Sequence, residues 1–446
     1  MKFINNSNDL SHFLDISVIK NIEIKNISLD SRTIKKDSLF IAINGKNFNG
    51  NEFIDDAFKN GACLAITDSK KFKNSKNKKI IYVKNSTTAL KKISKKILYE
   101  YHGNVIGITG SNGKTTTTKI ITNALRASSS TLKNYNNELG MPLSIMSSNP
   151  NSKHLVIEMG AAKPGDISYL SSILKPHIGI ITNIGNSHLK NLKNIKGVLK
   201  VKSELITNIK RNGILIVPNE NKQHLKLWKN FRDDLEVVTF GMNKSADFFA
   251  SNIKLNLNRM KFDICSKKNG LLETVNTSMV GEHNIKNILA SFAASYYSNN
   301  SNELFFKSIN KNSTNNVRQN QSKWLRGSTL IDDTYNANPD SVAKAIDLLA
   351  TSKRHKVLVL GDMLELGKYK KKYHVNIGLY AAKKKIDIFL GFGDLTKYAV
   401  KSFGKKGIFF DSEKELKIFL KENIGSKDIV LLKGSRGMKM EKFINV

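Results

Sequence analysis

Cysteine is nearly missing from this chain of 446 residues: Cys63 and Cys265 stand alone, with no CxxC pair and no metal-ligand spacing around them. That scarcity argues against a disulfide framework and a thiolate zinc centre, and makes reduced, buried thiols the expectation. Long apolar runs are missing as well. No stretch of about 18 apolar residues occurs, and the opening "MKFINNSNDLSHFLDI" has no apolar core of the signal-peptide kind. Neither a membrane span nor a secretory leader is expected, and a cytoplasmic address follows. Acidic residues are scarce too, 37 against 72 lysines and arginines, for a formal net charge of +35. Such an excess suits a polyanionic partner only where the cations cluster. Here the lysines are scattered beside Asn and Ile, as in "KKFKNSKNKKIIYVKN", and aromatics rarely interleave with them as a base-stacking surface requires. The reading is a solvated basic surface with no nucleic-acid partner.

What is present is patterned as α/β, and at roughly 150 residues per domain the length suggests about three units. Residues 1–100 hold short strand-like runs, "SLFIAING", "CLAITD" and "KIIYVKN", and end in the helical "TTALKKISKKILYEYH". Across 101–314, compact apolar runs such as "NVIGITG", "HLVIEMG", "HIGIITNIG", "GILIVPN" and "LEVVTFG" alternate with helical spacings. That is the pattern of a mostly parallel sheet covered on both faces. The polar "NKNSTNNVRQNQSK" reads as a boundary. Beyond it, 315–446 resume the alternation with "STLIDDTYN", "KVLVLGDM", "IDIFLGFG" and "DIVLLKGSR", a smaller Rossmann-like unit.

One stretch carries chemistry by itself. In "GNVIGITGSNGKTTTTKI", a buried strand breaks into Gly110-Ser111-Asn112-Gly113-Lys114-Thr115-Thr116 and continues as a helix. Glycines let backbone N–H groups converge on phosphate oxygens, and a helix N-terminus favours the anion. Lys114 can reach the outer phosphates and the Thr115 hydroxyl can ligate Mg²⁺. The strict GxxxxGK[ST] pattern is not met, because position 108 is Ile. A purely structural turn is the competing reading; ATP binding is the one adopted.

The form TGxNGKT resembles the ATP loop of the Mur ligases and their folylpolyglutamate synthetase relatives. Further segments follow in that family's order: "NNELGMPLS", "EMGAAKPGDI", "TNIGNSH", "VKSEL", "GEHNIKN", "IDDTYNANPDS", "GDMLELG" and "LLKGSRGMKME". "DDTYNANP" and "GDMLELG" resemble the member that joins D-alanyl-D-alanine to UDP-N-acetylmuramoyl-tripeptide. The resemblance implies three domains: a small N-terminal UDP-sugar-binding unit, a central P-loop ATPase unit and a C-terminal Rossmann-like unit. It also implies ATP and Mg²⁺, an acyl-phosphate intermediate, a peptidoglycan precursor as product and a monomer. Catalysis of this type rests on positioning and charge neutralisation, so cations, metal ligands and glycines are expected rather than a Ser or Cys nucleophile.

Residue by residue, the resemblance makes Glu158, at the end of a strand where the cradle opens, and His188, which follows another strand, metal ligands beside Thr115. A structural carboxylate or imidazole is the plainer alternative for each. Lys202 stands fourteen residues after His188, the spacing of a carboxylated lysine in these ligases, so a carbamate able to orient a metal is expected there. Asn284 and Asn287 match adenosine contacts, and Arg318 and Asp333 match phosphate and ribose contacts. Ser31 and Arg32 match the uridine-diphosphate site, where an Arg suits bidentate recognition. Asn136 and Asn137, with Asn336, Asn338, Asp362, Glu365, His374, Ser435 and Arg436, match segments near the dipeptide and acyl phosphate.

The chain also departs from the pattern. "DGH" reads Asn49-Gly50-Asn51, Lys133 stands where Gly is expected, Leu192-Lys193 replaces Phe-Gly, and "KYKKKYH" replaces an acidic run. The first change puts the contacts of that loop in question, and the other three shift charge or flexibility near the site without removing a chemical group. Within the family, a ligase adding a single amino acid is the alternative, and it would show DNPR-like and "YAHTP" segments. A basic P-loop ATPase acting on nucleic acid, or an inactive binding protein, would be alternatives of another class.

Overall fold

The computed structural model of the chain describes residues 2–17, 20–45, 48–311 and 320–446, and their strands gather into three sheets. The first contains β1 (Asn26–Ser28), β2 (Ser38–Ile41), β3 (Ala62–Thr67) and β4 (Ile80–Tyr82), in that order and all parallel. β2 and β3 are nearly all buried because both faces of the sheet are covered. The helix Ser86–Glu100, capped by Asn85, turns Leu90, Ile93 and Ile97 inward and leads to the second domain.

The central sheet runs β13-β12-β11-β10-β9-β8-β5-β7-β6. Its strands are β5 (Asn104–Thr109), β6 (Ser128–Ser130), β7 (His154–Glu158), β8 (Ile178–Ile181), β9 (Ile214–Pro218), β10 (Glu236–Gly241), β11 (Phe248–Leu255), β12 (Met260–Ser266) and β13 (Gly270–Thr277). From β6 to β10 every pairing is parallel. β5 has β7 on one side and β8 on the other, so the strand order reverses there and a crevice opens at the carboxyl ends. Helices Lys114–Ala124 and Glu282–Tyr297 cover one face, with Ile121, Ile288, Leu289 and Phe292 in one core with Ile106 and Val156.

β11, β12 and β13 extend this sheet as an antiparallel meander that the strand–helix alternation does not announce. The outer half of β11 and most of β13 face solvent, so their sequences are too polar to show a buried-strand pattern.

The third sheet runs β14-β15-β19-β16-β17-β18. It comprises β14 (Asn320–Lys323), β15 (Thr329–Asp333), β16 (His355–Gly361), β17 (Ile388–Phe392), β18 (Gly407–Phe410) and β19 (Asp428–Lys433). Only β14, at the edge, is antiparallel to its neighbour. Register places Asp333 opposite Lys433 at adjoining strand ends. The helix Pro339–Ala350 follows, with Asn338 as its cap and Pro339 opening the first turn. No described helix is long and apolar enough to cross a membrane.

Candidate active site

The carboxyl ends of β5, β7 and β8 face those of β15 and β19 across a cavity of about 1390 Å³. On the central side the glycine-rich loop leaves β5 and enters the helix Lys114–Ala124. Gly113 caps that helix with φ 81°, and a Cβ on it would stand 2.2 Å from Asn287 Oδ1. Gly110 is equally constrained, since a Cβ would meet Thr182 Oγ1 at 1.9 Å. The loop is fixed from below: Asn112 N donates to Asn183 Oδ1 (3.0 Å), and Ser111 Oγ donates to Gly185 O (3.0 Å). Lys114 Nζ folds back to donate to Gly110 O at 2.9 Å. Ser111, Asn112, Gly113, Lys114, Thr115 and Thr116 line the cavity, and the helix N-terminus supplies an anion-favouring field there.

Glu158 ends β7 and is 3% exposed. Thr115 Oγ1 donates to its Oε2 (2.8 Å) and Asn136 Nδ2 to its Oε1 (2.6 Å). A buried carboxylate met by a hydroxyl at a phosphate cradle fits Mg²⁺, which takes one or two protein oxygens and fills its remaining positions with phosphates and water. No group of three His, Cys, Asp or Glu side chains able to hold a metal occurs among the described residues, so a closed metal cage is not the arrangement here. His188 opens a short helix with φ 52°. Its Nδ1 lies 2.7 Å from Glu365 Oε2 without hydrogen-bond alignment, and the pairing holds the Glu365 carboxyl below its usual range.

Lys202 lies in the last turn of the helix Ile195–Ser203 and is 1% exposed. It does not line the cavity. Burial above all, and then the charge of Lys114, pull its amine down to about 7, against the opposing pull of Asp166, Glu204 and Glu158.

Asn284 and Asn287 lie together on the cavity wall, Asn287 Nδ2 donating to Asn284 Oδ1 (3.1 Å) and Asn284 Nδ2 to Val280 O (2.8 Å). Asn137 lines the same space. From the third domain come Asp333, Asn336, Asn338, Glu365, Ser435 and Arg436. Asp333 is ion-paired with Lys433 at 2.6 Å, both nearly buried, and Lys433 Nζ also donates to Asn336 O (2.9 Å). Asn338 Nδ2 donates to Asn112 Oδ1 (2.7 Å), joining the third domain to the ATP loop. Ser435 Oγ accepts from Leu364 N (2.8 Å) and donates to Ala337 O (3.1 Å).

Other expected residues are placed elsewhere. Asp362 does not line the cavity; its Oδ1 accepts from the backbone of Leu395 and Thr396 (2.9 Å each), and burial raises its carboxyl. His374 is fully buried, with Nε2 accepting from Met363 N (3.0 Å) and Nδ1 facing Lys370 O (2.7 Å), so it braces the 363 loop from behind. Ser31 and Arg32 lie in the first domain away from this cavity, and the exposed Arg32 is paired through two hydrogen bonds with Asp30. Arg318 lies outside the described residues. Lys433, missed in the sequence, is signalled by an apolar strand, "DIVLLK", that ends on a cation. Asn186, Asp340 and Tyr373, also missed, give no local signal.

Taken together, a strand-to-helix phosphate cradle facing a second Rossmann-like sheet defines a nucleotide-dependent enzyme whose site is shared between domains. The chain belongs to the Mur ligase family. Residues 23–97 match the Mur ligase family catalytic domain, 108–295 the Mur ligase middle domain, and 318–436 the Mur ligase glutamate ligase domain. A Buchnera aphidicola (subsp. Baizongia pistaciae) protein named UDP-N-acetylmuramoyl-tripeptide--D-alanyl-D-alanine ligase is 33% identical, over 100% of this chain and 96% of its own. The crystal structure of MurF from Acinetobacter baumannii has a TM-score of 0.86 at 27% identity, covering 98% of this chain and 97% of that one. MurF from Thermotoga maritima in complex with ADP has a TM-score of 0.81 at 28% identity, over 94% and 96% of the two chains.

Proposed function

We propose that this enzyme joins D-alanyl-D-alanine to UDP-N-acetylmuramoyl-tripeptide, driven by ATP, and yields the UDP-linked pentapeptide, ADP and phosphate. The observation that carries the reading is the single cavity in which the ATP loop and Glu158 face Asn336, Asn338 and Ser435 of the third domain. Full-length relatives bearing the name of that ligase support it.

A carboxylate is a poor electrophile, and the γ-phosphoryl group remedies this by passing to the tripeptide carboxylate. The dipeptide amine then attacks the acyl carbon, the C–N bond forms, the acyl C–O bond breaks with its electrons going to the departing phosphate, and the nitrogen gives up a proton, which the released phosphate can take. Lys114 and the helix N-terminus neutralise charge on the phosphates through both steps. Thr115 and Glu158 would hold Mg²⁺, which supplies further neutralisation of the phosphate oxygens. Asn284, Asn287 and Asp333 hold the nucleoside, and Asn336, Ser435 and Arg436 orient the dipeptide. Ser31 and Arg32 take the uridine diphosphate at the far end of the substrate.

Lys202 carries a carbamate in this reading. Its amine adds to CO₂, an N–C bond forms and a proton is released, a step that requires the neutral amine that burial favours. A monomer working in the cytoplasm completes this reading.

The test is phosphate release and product mass with ATP, Mg²⁺, UDP-sugar tripeptide and either D-alanyl-D-alanine or single amino acids. Release that requires the dipeptide is expected. Release with one amino acid alone overturns the assignment.

A further inference from the structure

Asn186 belongs to the central domain, two residues before His188 in the loop after β8, yet its side chain is held by the third domain. Its backbone N–H donates to Asp340 Oδ2 at 2.6 Å and its Nδ2 to Asp340 Oδ1 at 3.1 Å. Tyr373 donates its hydroxyl to Asn186 Oδ1 at 2.8 Å. Asp340 lies in the first turn of the helix Pro339–Ala350 and Tyr373 on the helix Lys370–Lys383, so two elements converge on one residue. The approach needs a glycine next door: a Cβ on Gly185 would stand 2.3 Å from Asp340 Oδ2. Four residues further on, Lys190 N donates to Glu365 O (2.9 Å), and His188 itself meets Glu365.

We propose that Asp340 and Tyr373 are positioning residues that clamp Asn186 when the third domain closes, and so hold the 185–188 backbone that presents His188 to the cavity. A carboxylate that accepts two N–H bonds from one residue fixes both direction and distance. These bonds form only with the domains together, so the clamp links closure to the arrangement of the reacting site. Removing it lowers the fraction of productive enzyme more than it weakens ATP itself. The catalytic consequence rests on the function proposed above; the clamp does not.

The test uses the full-length enzyme and four variants: Asp340→Ala, Tyr373→Phe, Asn186→Asp, and the swap Asn186→Asp with Asp340→Asn. Asn186→Asp sets two carboxylates against each other, and kcat is expected to fall roughly tenfold or more, with a smaller change in KM for ATP. Asp340→Ala falls by a similar factor and Tyr373→Phe by less. In the swap, the new amide at 340 can accept the backbone N–H and donate to the carboxylate at 186, whose other oxygen still receives Tyr373. It should recover kcat to within about threefold of the parent. Small-angle X-ray scattering with ADP and Mg²⁺ should show a larger radius of gyration for Asn186→Asp and a compact swap variant. Wild-type kcat and dimensions for Asn186→Asp overturn the proposal, as does a swap that melts normally yet performs no better than the single variant. Should the parent enzyme release no dipeptide-dependent phosphate, the functional reading fails while the scattering still decides on the clamp.

Discussion

Two carboxylates look into one cavity and are partnered in opposite ways. Glu158, at the end of β7, accepts from Thr115 and Asn136, both uncharged. Asp333, at the end of β15, has the ammonium of Lys433 at 2.6 Å, on the neighbouring strand and equally buried. A buried carboxylate is costly without a cation. The third domain carries its own in Lys433, whereas in the proposed reaction the cation at Glu158 would be a metal that comes with the nucleotide. The Asp333–Lys433 pair is neutral overall and offers polar edges, a property suited to hydroxyl groups. In that reading the difference is one of timing: the first site would be completed on ligand binding, the second on folding.

The comparison is broken most severely at Lys433. Lys433→Ala strands the Asp333 carboxylate, and a loss of about 3 to 5 kcal/mol of third-domain stability is expected, read as a lowered unfolding temperature. An unchanged temperature would show that Asp333 does not depend on its partner. Glu158→Gln should do the reverse. The amide oxygen can still accept from Asn136 while the Thr115 hydroxyl turns to accept from the new NH₂, so stability stays close to the parent. Turnover, however, falls roughly 10²-fold with the loss of the charge. Lys114→Ala belongs to the same side and should cost kcat a similar roughly 10²-fold. Near-normal turnover in either variant removes that residue from the chemistry.

Lys202 gives a smaller, pH-dependent signal. Its amine sits at about 7 in the fold against an ordinary 10.5. Between those values the unfolded chain binds a proton that the folded chain does not, so stability rises with pH across that window. In CO₂-depleted buffer, Lys202→Met should lose this rise, and its advantage in unfolding temperature over the parent should shrink from pH 7 towards pH 10. With ¹³C-bicarbonate the parent should gain a carbamate resonance that the variant lacks. Parallel pH curves together with no resonance would eliminate the idea.

How much of this was legible in the chain depended on where the determining force lay. The ATP loop and Glu158 stand at the ends of β5 and β7, and buried strands announce themselves as apolar runs, so their place at the cavity could be read; His188 lies further on, in the loop after β8. Lys202 could be singled out only through a spacing, because a buried lysine looks like any other in a lysine-rich chain. Asp362 and His374 lie in recognisable segments, but which way their side chains turn is a tertiary outcome. Both brace loops by accepting backbone N–H groups. The contacts of Asn186 with Asp340 and Tyr373 span 154 and 187 residues, and no local pattern encodes a partner that distant. The antiparallel strands β11 to β13 were lost for another reason, their exposed edges being too polar to mark a core.

The smallest expected effect lies furthest from both carboxylates. Arg32 is exposed, pairs with Asp30 and does not line the cavity. An exposed ion pair contributes little to folding, so Arg32→Ala should leave the unfolding temperature where it is. If Arg32 instead holds the diphosphate of the sugar nucleotide, its loss removes binding that is equal in the ground and transition states. That raises KM for the UDP-sugar peptide and leaves kcat alone. A rise of about tenfold is the scale of one charge-assisted contact, with KM for ATP and for the dipeptide unchanged. A parallel fall in kcat would mean that the first domain takes part in the chemistry, and the division between a remote anchoring site and a reacting cavity would have to be given up.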